Sequence, residues 1–204
     1  MKKILPTLLL LILLPLALDA RRNGEGFFIG IGSGGTYYND GGLVSDLKKS
    51  GGDYDMRSVS GAYKLYGGYK FNHEATLEGA ITSYGVYEVK NDGNTTEELA
   101  PVSAAVYLNY GYDFWHNQIR PFVVVGAGLL WLEPKYATLY DEEVFFSIHY
   151  GLGLLYSPRS LNGLGFRFAY ETDWSRYKAK SELGVGGSYD NFLGALYLGI
   201  QYKF

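Results

Sequence analysis

The last thirteen residues of the chain alternate between two kinds of side chain. Every second position belongs to a set that is almost wholly apolar and aromatic: Phe204, Tyr202, Ile200, Leu198, Leu196, Gly194 and Phe192. The positions between them hold the charge, the amide and the small residues. A period of two places successive side chains on opposite faces of a β-strand. One face of this strand stays apolar to its last residue, which indicates contact with lipid on that face.

The N-terminal segment has the features of an export signal. Lys2 and Lys3 precede an apolar run from Ile4 to Leu18, and Ala20 offers a small residue for cleavage. The run is short for a membrane-spanning helix of about 20 residues, and polar residues follow it. We predict a signal peptide at residues 1–20 and a β-barrel domain at residues 21–204. A permanent N-terminal membrane anchor is the alternative.

Seven further segments show the period of two, so the sequence predicts an all-β fold, an eight-stranded antiparallel transmembrane β-barrel. The connections between the strands alternate in length, with short turns at 72–73, 115–118 and 158–162 and longer segments at 39–57, 90–100, 133–142 and 176–190. Short turns at one end and longer polar loops at the other are typical of outer-membrane barrels. An even number of strands places both termini at the short-turn end, which we predict to be periplasmic in the bacterial outer membrane. The seven segments are about 26–38, 58–71, 74–89, 101–114, 119–132, 143–157 and 163–175.

Charged residues share the strand face opposite the aromatic stripes. A soluble barrel has the reverse arrangement, which disfavours a lipocalin-like carrier. Eight strands leave an interior just wide enough for side chains, and enclosed charges must pair because a lone buried ion is strongly unfavourable. We predict a plugged lumen in which Lys64 or Arg167 contacts Glu78 or Glu171; a small gated pore is the alternative. The predicted lumen charge network consists of Lys64, Glu78, Arg120, Arg167, Glu171 and Asp173.

Composition narrows the possible functions. The 20 Tyr among 204 residues suit the two membrane–water interfaces. We predict that Trp115, Trp131 and Trp174 belong to interfacial belts. The absence of Cys excludes disulfides, thiol catalysis and cysteine metal sites. A net charge of −3 argues against nucleic acid as a partner.

Three stretches resemble small outer-membrane barrels of the OmpA-like and OmpX-like superfamily. They are residues 64–72 (KLYGGYKFN) with Leu77-Glu78, residues 119–122 (IRPF) with 126–128 (GAG), and the terminal Tyr202-Lys203-Phe204. In the superfamily the C-terminal signature is recognised by the barrel-assembly machinery, so the resemblance implies that role for Tyr202 and Phe204. It also implies contact with outer-membrane lipids and lipopolysaccharide. Because the chain stops at the last strand, we expect a stand-alone barrel without a peptidoglycan-binding domain.

His149 is the one residue that suggests an enzyme. The chain is similar in size to a lipid A deacylase that uses a His-x-Ser arrangement, but here Tyr150 and Gly151 follow His149, and Ser147 precedes it. A serine nucleophile needs a base within hydrogen-bond reach. We therefore expect no catalysis, and with three scattered histidines no metal site and no cofactor.

The expected role is structural or surface-interacting. Loops on a rigid scaffold usually carry specificity, so we expect loops 39–57 and 176–190 to contact any host or surface ligand. The protein is expected to be a monomer. A lipid A-modifying barrel enzyme and an adhesin are the further alternatives.

Overall fold

Eight strands form one closed antiparallel barrel, as the sequence predicts. The computed structural model describes residues 25–49, 53–91, 94–132, 144–178 and 188–204, so the predicted signal peptide and the loop at 133–142 lie outside the described residues. The barrel strands are β1 (Gly26–Asn39), β3 (Ala62–Lys70), β4 (Ala75–Ser83), β7 (Val102–Gly111), β8 (Ile119–Trp131), β9 (Val144–Tyr156), β10 (Leu164–Lys178) and β11 (Ser188–Lys203).

The first and last strands close the barrel. Strand β1 pairs with β11 on one side, where Phe28 is opposite Lys203, and with β3 on the other. The Phe204 N–H donates to the Phe27 carbonyl at 2.9 Å, which ties the end of β11 to the start of β1. This end also carries the turns after β3, β7 and β9, and we call it the turn end. The opposite end is the loop end.

The two faces of each barrel strand differ as the alternation predicts. In β11, Leu196 and Leu198 are 49% and 68% exposed, whereas Tyr197 between them is 2% exposed. The face of β8 that the sequence assigns to the lumen contains Arg120 and Val124, and both are buried. An uncovered apolar stripe on every strand is unfavourable in water and favourable against lipid.

Close approach of backbone to backbone explains a glycine in the lumen wall. A Cβ at Gly126 would meet the Tyr107 Cα and Cβ and the Val106 carbonyl oxygen. Those contacts involve backbone atoms, which cannot move without disturbing the β7–β8 pairing. Gly126 therefore leaves the space in which the Tyr107 ring enters the lumen.

The predicted loops 39–57 and 90–100 contain regular structure, which corrects the prediction. They hold α1 (Leu43–Lys49), β2 (Tyr54–Ser58) and β6 (Asn94–Leu99), and β5 (Tyr87–Asn91) completes a separate sheet in the order β2-β5-β6. Among the described residues, no helix is long and apolar enough to cross a membrane.

Because of the small sheet, two of the predicted barrel strands are shorter than expected. Segments 58–71 and 74–89 were each expected to be continuous, but both leave the barrel at residues 59–61 and 84–86. Gly85 has a φ of +80°, and a Cβ there would lie 2.6 Å from the Ser60 Oγ. The Val86 N–H donates to that same Ser60 Oγ at 2.8 Å. This bend directs the chain after β4 out of the barrel and into β5 of the small sheet. The side chains continue to alternate between two faces across the bend.

The predicted loop 176–190 is also too long. Strand β10 continues to Lys178 and β11 begins at Ser188, with Tyr177 opposite Tyr189. Both rings are buried and stack with centroids 5.9 Å apart. The hairpin therefore extends further at the loop end than the sequence pattern indicates.

Apolar residues from the loops and the barrel meet at the loop end. The Tyr177 hydroxyl donates to the Asp40 carbonyl at 2.8 Å, which ties β10 to the segment before α1. These side chains are buried together at this end of the barrel. We call the cluster the loop-end cap: Leu43, Val89, Leu99, Leu130, Leu132, Phe145, Tyr177, Tyr189 and Leu193.

Candidate functional site

Arg167 lies at the centre of the lumen. Its Nη1 is 2.8 Å from the Glu78 Oε2, and its Nη2 is 2.8 Å from the Glu171 Oε1. The guanidinium carbon lies 4.8 Å from the Tyr66 ring centroid and 4.4 Å from that of Phe122. Two carboxylates and two aromatic faces thus surround one buried cation, as cation–π contact and ion pairing favour.

Lys64 joins the same cluster from β3. Its ammonium pairs with the Glu171 carboxylate, and its Nζ lies 5.0 Å from the Tyr107 ring centroid. The Tyr197 hydroxyl donates to the Glu171 Oε1 at 2.6 Å. The contacts predicted between Lys64 or Arg167 and Glu78 or Glu171 are therefore present.

His149 connects the centre of the lumen to a second carboxylate. Its Nδ1 lies 2.9 Å from the Asp173 Oδ1, and its Nε2 lies 3.2 Å from the Glu171 Oε2. The imidazole stacks on Tyr107 with centroids 4.5 Å apart. The Tyr84 hydroxyl donates to the Asp173 Oδ2 at 2.5 Å. Sequence parity indicated that these side chains face the lumen, but their mutual contacts had no local signal.

Arg120 extends the network toward the turn end. Its Nη1 donates to the Asn109 Oδ1 at 2.8 Å, and the Asn109 amide donates to the Glu78 Oε1 at 2.6 Å. The Arg120 Nε lies 3.7 Å from the Asp113 Oδ1. The Lys70 ammonium donates to the Asp113 Oδ2 at 2.9 Å. Asn109 is a further link of the network, and no signal in the sequence indicated it.

The charges of this lumen network balance when His149 is neutral. Each of four cations has a carboxylate partner within 4 Å, and the Asp173 carboxylate is hydrogen-bonded by Tyr84 and His149. All six residues predicted for the network belong to it. Its charged members are Lys64, Lys70, Arg120, Arg167, Glu78, Asp113, Glu171 and Asp173.

A cavity of about 430 Å³ lies between the network and the turn end, and we call it the turn-end vestibule. Glu78, Arg120 and Arg167 of the network line it, together with residues of the turns after β3, β7 and β9. Along the described lumen, the loop-end cap lies at one end, the ion pairs lie in the middle and the vestibule lies at the turn end.

The three predicted belt residues lie at opposite ends of the barrel. Trp115 is 72% exposed in the turn after β7. Trp131 is opposite Val102 and Trp174 is opposite Ile148, both near the loop end. Their belt function stays a prediction, as does the assembly-signal function of Tyr202 and Phe204, whose rings lie outside with centroids 5.3 Å apart.

Exposed ion pairs surround the loop end. The Lys49 ammonium donates to Asp46 at 2.9 Å, and the Arg57 Nε donates to Asp55 at 2.9 Å. The hydrogen bond from Lys49 lowers the pKa of the Asp46 carboxyl. No group of three or more side chains suited to a metal ion occurs in the described part of the chain. This surface is charged and exposed, unlike the apolar cap beneath it.

Similar folds occur in solved outer-membrane proteins. OprG from Pseudomonas aeruginosa matches at 14% identity with a TM-score of 0.54, over 88% of this chain and 96% of that protein. Neisserial surface protein A matches at 14% identity and 0.55, over 89% and 100%. Ail, the attachment invasion locus protein of Yersinia pestis, matches at 16% identity and 0.51, over 88% and 99%. At such low identities, the matches show that the fold is shared, and they say nothing about function.

Sequence similarity identifies the family. No curated protein sequence matches the chain significantly. The family model described as outer membrane protein beta-barrel domain matches residues 7–204, which is nearly the whole chain. With the closed eight-stranded barrel and its apolar outer face, this match shows that the chain belongs to the outer-membrane β-barrel protein family.

Proposed function

We propose that this protein is a non-catalytic, non-conducting outer-membrane barrel that acts through the surface at its loop end. The observation that carries the proposal is the occupation of the lumen. Ion pairs fill its centre and apolar side chains cover its loop end, so the barrel offers a rigid scaffold below and a structured surface above. Loops held by a rigid scaffold commonly carry recognition.

The lumen contacts support a plug rather than a pore. An ion that crossed the barrel would have to separate Arg167 from Glu78 and Glu171, and then pass the cap around Leu130 and Leu193. Each separation would leave a buried charge without its partner, which costs several kcal/mol. A gated path therefore requires rearrangement of two independent layers.

The surroundings of His149 support a role without catalysis. Both imidazole nitrogens contact carboxylates, and the Ser147 Oγ lies 3.4 Å from the Asp173 Oδ1. A serine nucleophile must transfer its proton to a base, but here the described contact of Ser147 is with the acid. Ser147 and His149 are buried in the lumen, separated from lipid by the barrel wall.

The ends of the first and last strands support the proposed orientation. The start of β1 and the end of β11 lie at the turn end together with the short turns. Outer-membrane barrels carry short turns on the periplasmic side, so we place the turn end there and the small sheet outside the cell. Assembly by the barrel-assembly machinery as a monomer is part of the same proposal.

Conductance tests the closed lumen. The purified protein, reconstituted in planar bilayers, is expected to show no stepwise conductance because both layers of the lumen block ions. Heat-modifiable gel mobility of the same sample verifies that the barrel is folded. Reproducible single-channel steps from folded protein would overturn the non-conducting part of the proposal and favour the small pore.

Attachment tests the surface role. Lys48→Glu, Lys49→Glu and Arg57→Glu together reverse three exposed loop-end charges, and exposed ion pairs contribute little to stability. Cells that display this variant are expected to attach to host-cell layers differently from cells that display the wild type. The control, Arg159→Glu, changes a turn-end charge and is expected to leave attachment unaltered. Equal attachment by cells that display the wild type, the triple variant and the control would contradict a role for this surface.

A further inference from the structure

Two buried polar residues lie opposite each other beneath the loop-end cap, and we call them the buried polar pair. Ser175 on β10 is paired with Asn191 on β11, and the two residues are 1% and 0% exposed. The Ser175 Oγ and both polar atoms of the Asn191 amide have no hydrogen-bond partner within the described ranges of the chain, and solvent does not reach them. Polar atoms removed from water without a partner are unfavourable, so the closed arrangement is destabilised at this point.

Two tyrosines of the cap occupy the next inward-facing positions toward the loop end. Tyr177 and Tyr189 are opposite each other, each two residues from a member of the buried polar pair and on the same face of its strand. The Tyr177 hydroxyl donates to the Asp40 carbonyl at 2.8 Å, and the Tyr189 hydroxyl donates to the Asp46 Oδ2 at 3.2 Å. These two hydrogen bonds connect the segment around α1 to the barrel wall directly above the unpaired atoms.

Two glycines join β1 to α1. Gly41 and Gly42 have φ values of +68° and +98°, a left-handed backbone that glycine adopts without strain. Their N–H groups donate to the side chains of Asn39 and Asp40 at 2.9 and 3.1 Å, so the hydrogen bonds of this turn are local. Hinges consist of a few such residues, which absorb changes in φ and ψ. The small sheet is hydrogen-bonded separately from the barrel, so rotation at these glycines would leave the barrel ladders intact.

We propose that the loop-end cap is a hinged lid, whose opening is favoured by the buried polar pair and opposed by the hydrogen bonds of Tyr177 and Tyr189. In the open state, α1 leaves the barrel and water reaches the Asn191 amide and the Ser175 hydroxyl. The ion pairs of Arg167 lie deeper in the lumen and stay closed, so opening of the cap does not create a pore. The inference goes beyond the proposed surface role because it assigns two states to the cap.

Thiol labelling measures how often the cap is open. The chain contains no Cys, so Leu43→Cys introduces a single thiol at a completely buried position of α1. A charged methanethiosulfonate reagent is expected to modify this thiol in nanodisc-inserted protein only while the cap is open. The rate is divided by that of the exposed Ser45→Cys, which gives the intrinsic reactivity of a thiol on the same helix. Heat-modifiable mobility verifies that the barrel is folded in every sample.

Removal of the unpaired atoms is expected to favour the closed cap. In the Leu43→Cys background, Asn191→Leu replaces the amide with an apolar group of similar shape and is expected to slow labelling about tenfold, because no unpaired amide then opposes closure. Ser175→Ala adds no volume, so it covers the case in which leucine does not fit, and it is expected to slow labelling about threefold or more. Slower labelling in either variant supports the proposal, and background rates in both folded variants would refute it.

The matched control is Thr172→Val, on the same strand as Ser175. The Thr172 Oγ1 is likewise buried without a hydrogen-bond partner in the part of the chain that the structure describes, but it shares the outer face of β10 with Tyr170. Because this site is separate from the cap, Thr172→Val is expected to change the labelling rate less than about twofold. Equal slowing by Thr172→Val and Asn191→Leu would overturn the proposal, since a general gain in stability would explain both.

Tyr177→Phe tests the cap in the opposite direction. It retains the ring but removes the hydroxyl that donates to Asp40, and it is expected to speed labelling about fivefold, the usual net effect of one hydrogen bond. An unchanged rate would overturn the role of this hydrogen bond in holding the cap closed. Because conductance and attachment test the proposed function, a failure in the labelling experiment is distinguishable from a failure there.

Discussion

Replacing Arg167 with methionine is expected to lower the free energy of unfolding by about 3–5 kcal/mol, the usual effect of removing one partner from a buried ion pair. The substitution retains much of the side-chain volume but leaves Glu78 and Glu171 without the cation that lies 2.8 Å from each. It also removes the charge between the Tyr66 and Phe122 rings. Equilibrium unfolding by denaturant in lipid vesicles measures the change.

Two comparisons separate charge from packing in this experiment. Arg176→Met removes an exposed arginine from the same strand, and its effect on unfolding is expected to be much smaller. Adding Glu78→Gln to Arg167→Met removes the carboxylate that has lost its Arg167 partner and is expected to recover part of the loss, whereas Glu171 keeps its ion pair with Lys64. If Arg167→Met and Arg176→Met destabilise the barrel equally, the lumen network does not contribute to stability as described.

Replacing Leu43 with aspartate is expected to open the loop-end cap while the barrel stays folded. Leu43 is completely buried on α1, and an isolated carboxylate there loses its hydration without gaining a partner, a penalty of about 3 kcal/mol or more. The small sheet is hydrogen-bonded separately from the barrel, which is closed by its own ladders. Limited trypsin digestion of vesicle-inserted protein is expected to cleave faster at Lys48, Lys49 and Arg57.

The matched control for this experiment lies two residues away. Ser45 is exposed on the same helix, so Ser45→Asp adds the same charge to solvent and is expected to leave the rate of cleavage near that of the wild type. Heat-modifiable mobility of Leu43→Asp is expected to match the wild type. A wild-type digestion pattern, or loss of barrel and cap together, would contradict an independently opening cap.

The barrel could be predicted because each strand carries its own signal. The alternation in β11 and β7 is complete within the strand, and the parity of Arg120 and Gly128 was enough to orient β8, which is apolar on both faces. The small sheet could not be predicted in this way. Its strands are five or six residues long, and β5 continues the alternation of β4 across the bend at Gly85.

The lumen network, too, could be predicted only in part from the sequence. Parity placed Lys64 and Glu171 on the inner face, and charge neutrality required that such ions pair. Which cation meets which carboxylate depends on the stagger of the strands around the closed barrel, and Lys64 and Glu171 are 107 residues apart in the chain. Asn109 and His149 could not be recognised as links for the same reason.

The sequence by itself therefore determined the eight barrel strands, their inner and outer faces and the membrane environment, because a period of two is a local property of the backbone. The tertiary structure decided the partners of each buried charge, the cap over the loop end and the vestibule at the turn end. Those features depend on closure of the barrel, which brings distant strands to within a side chain's length of one another across a narrow lumen. The alternation that ends at Phe204 specifies one wall of that lumen, and the other seven strands decide what fills it.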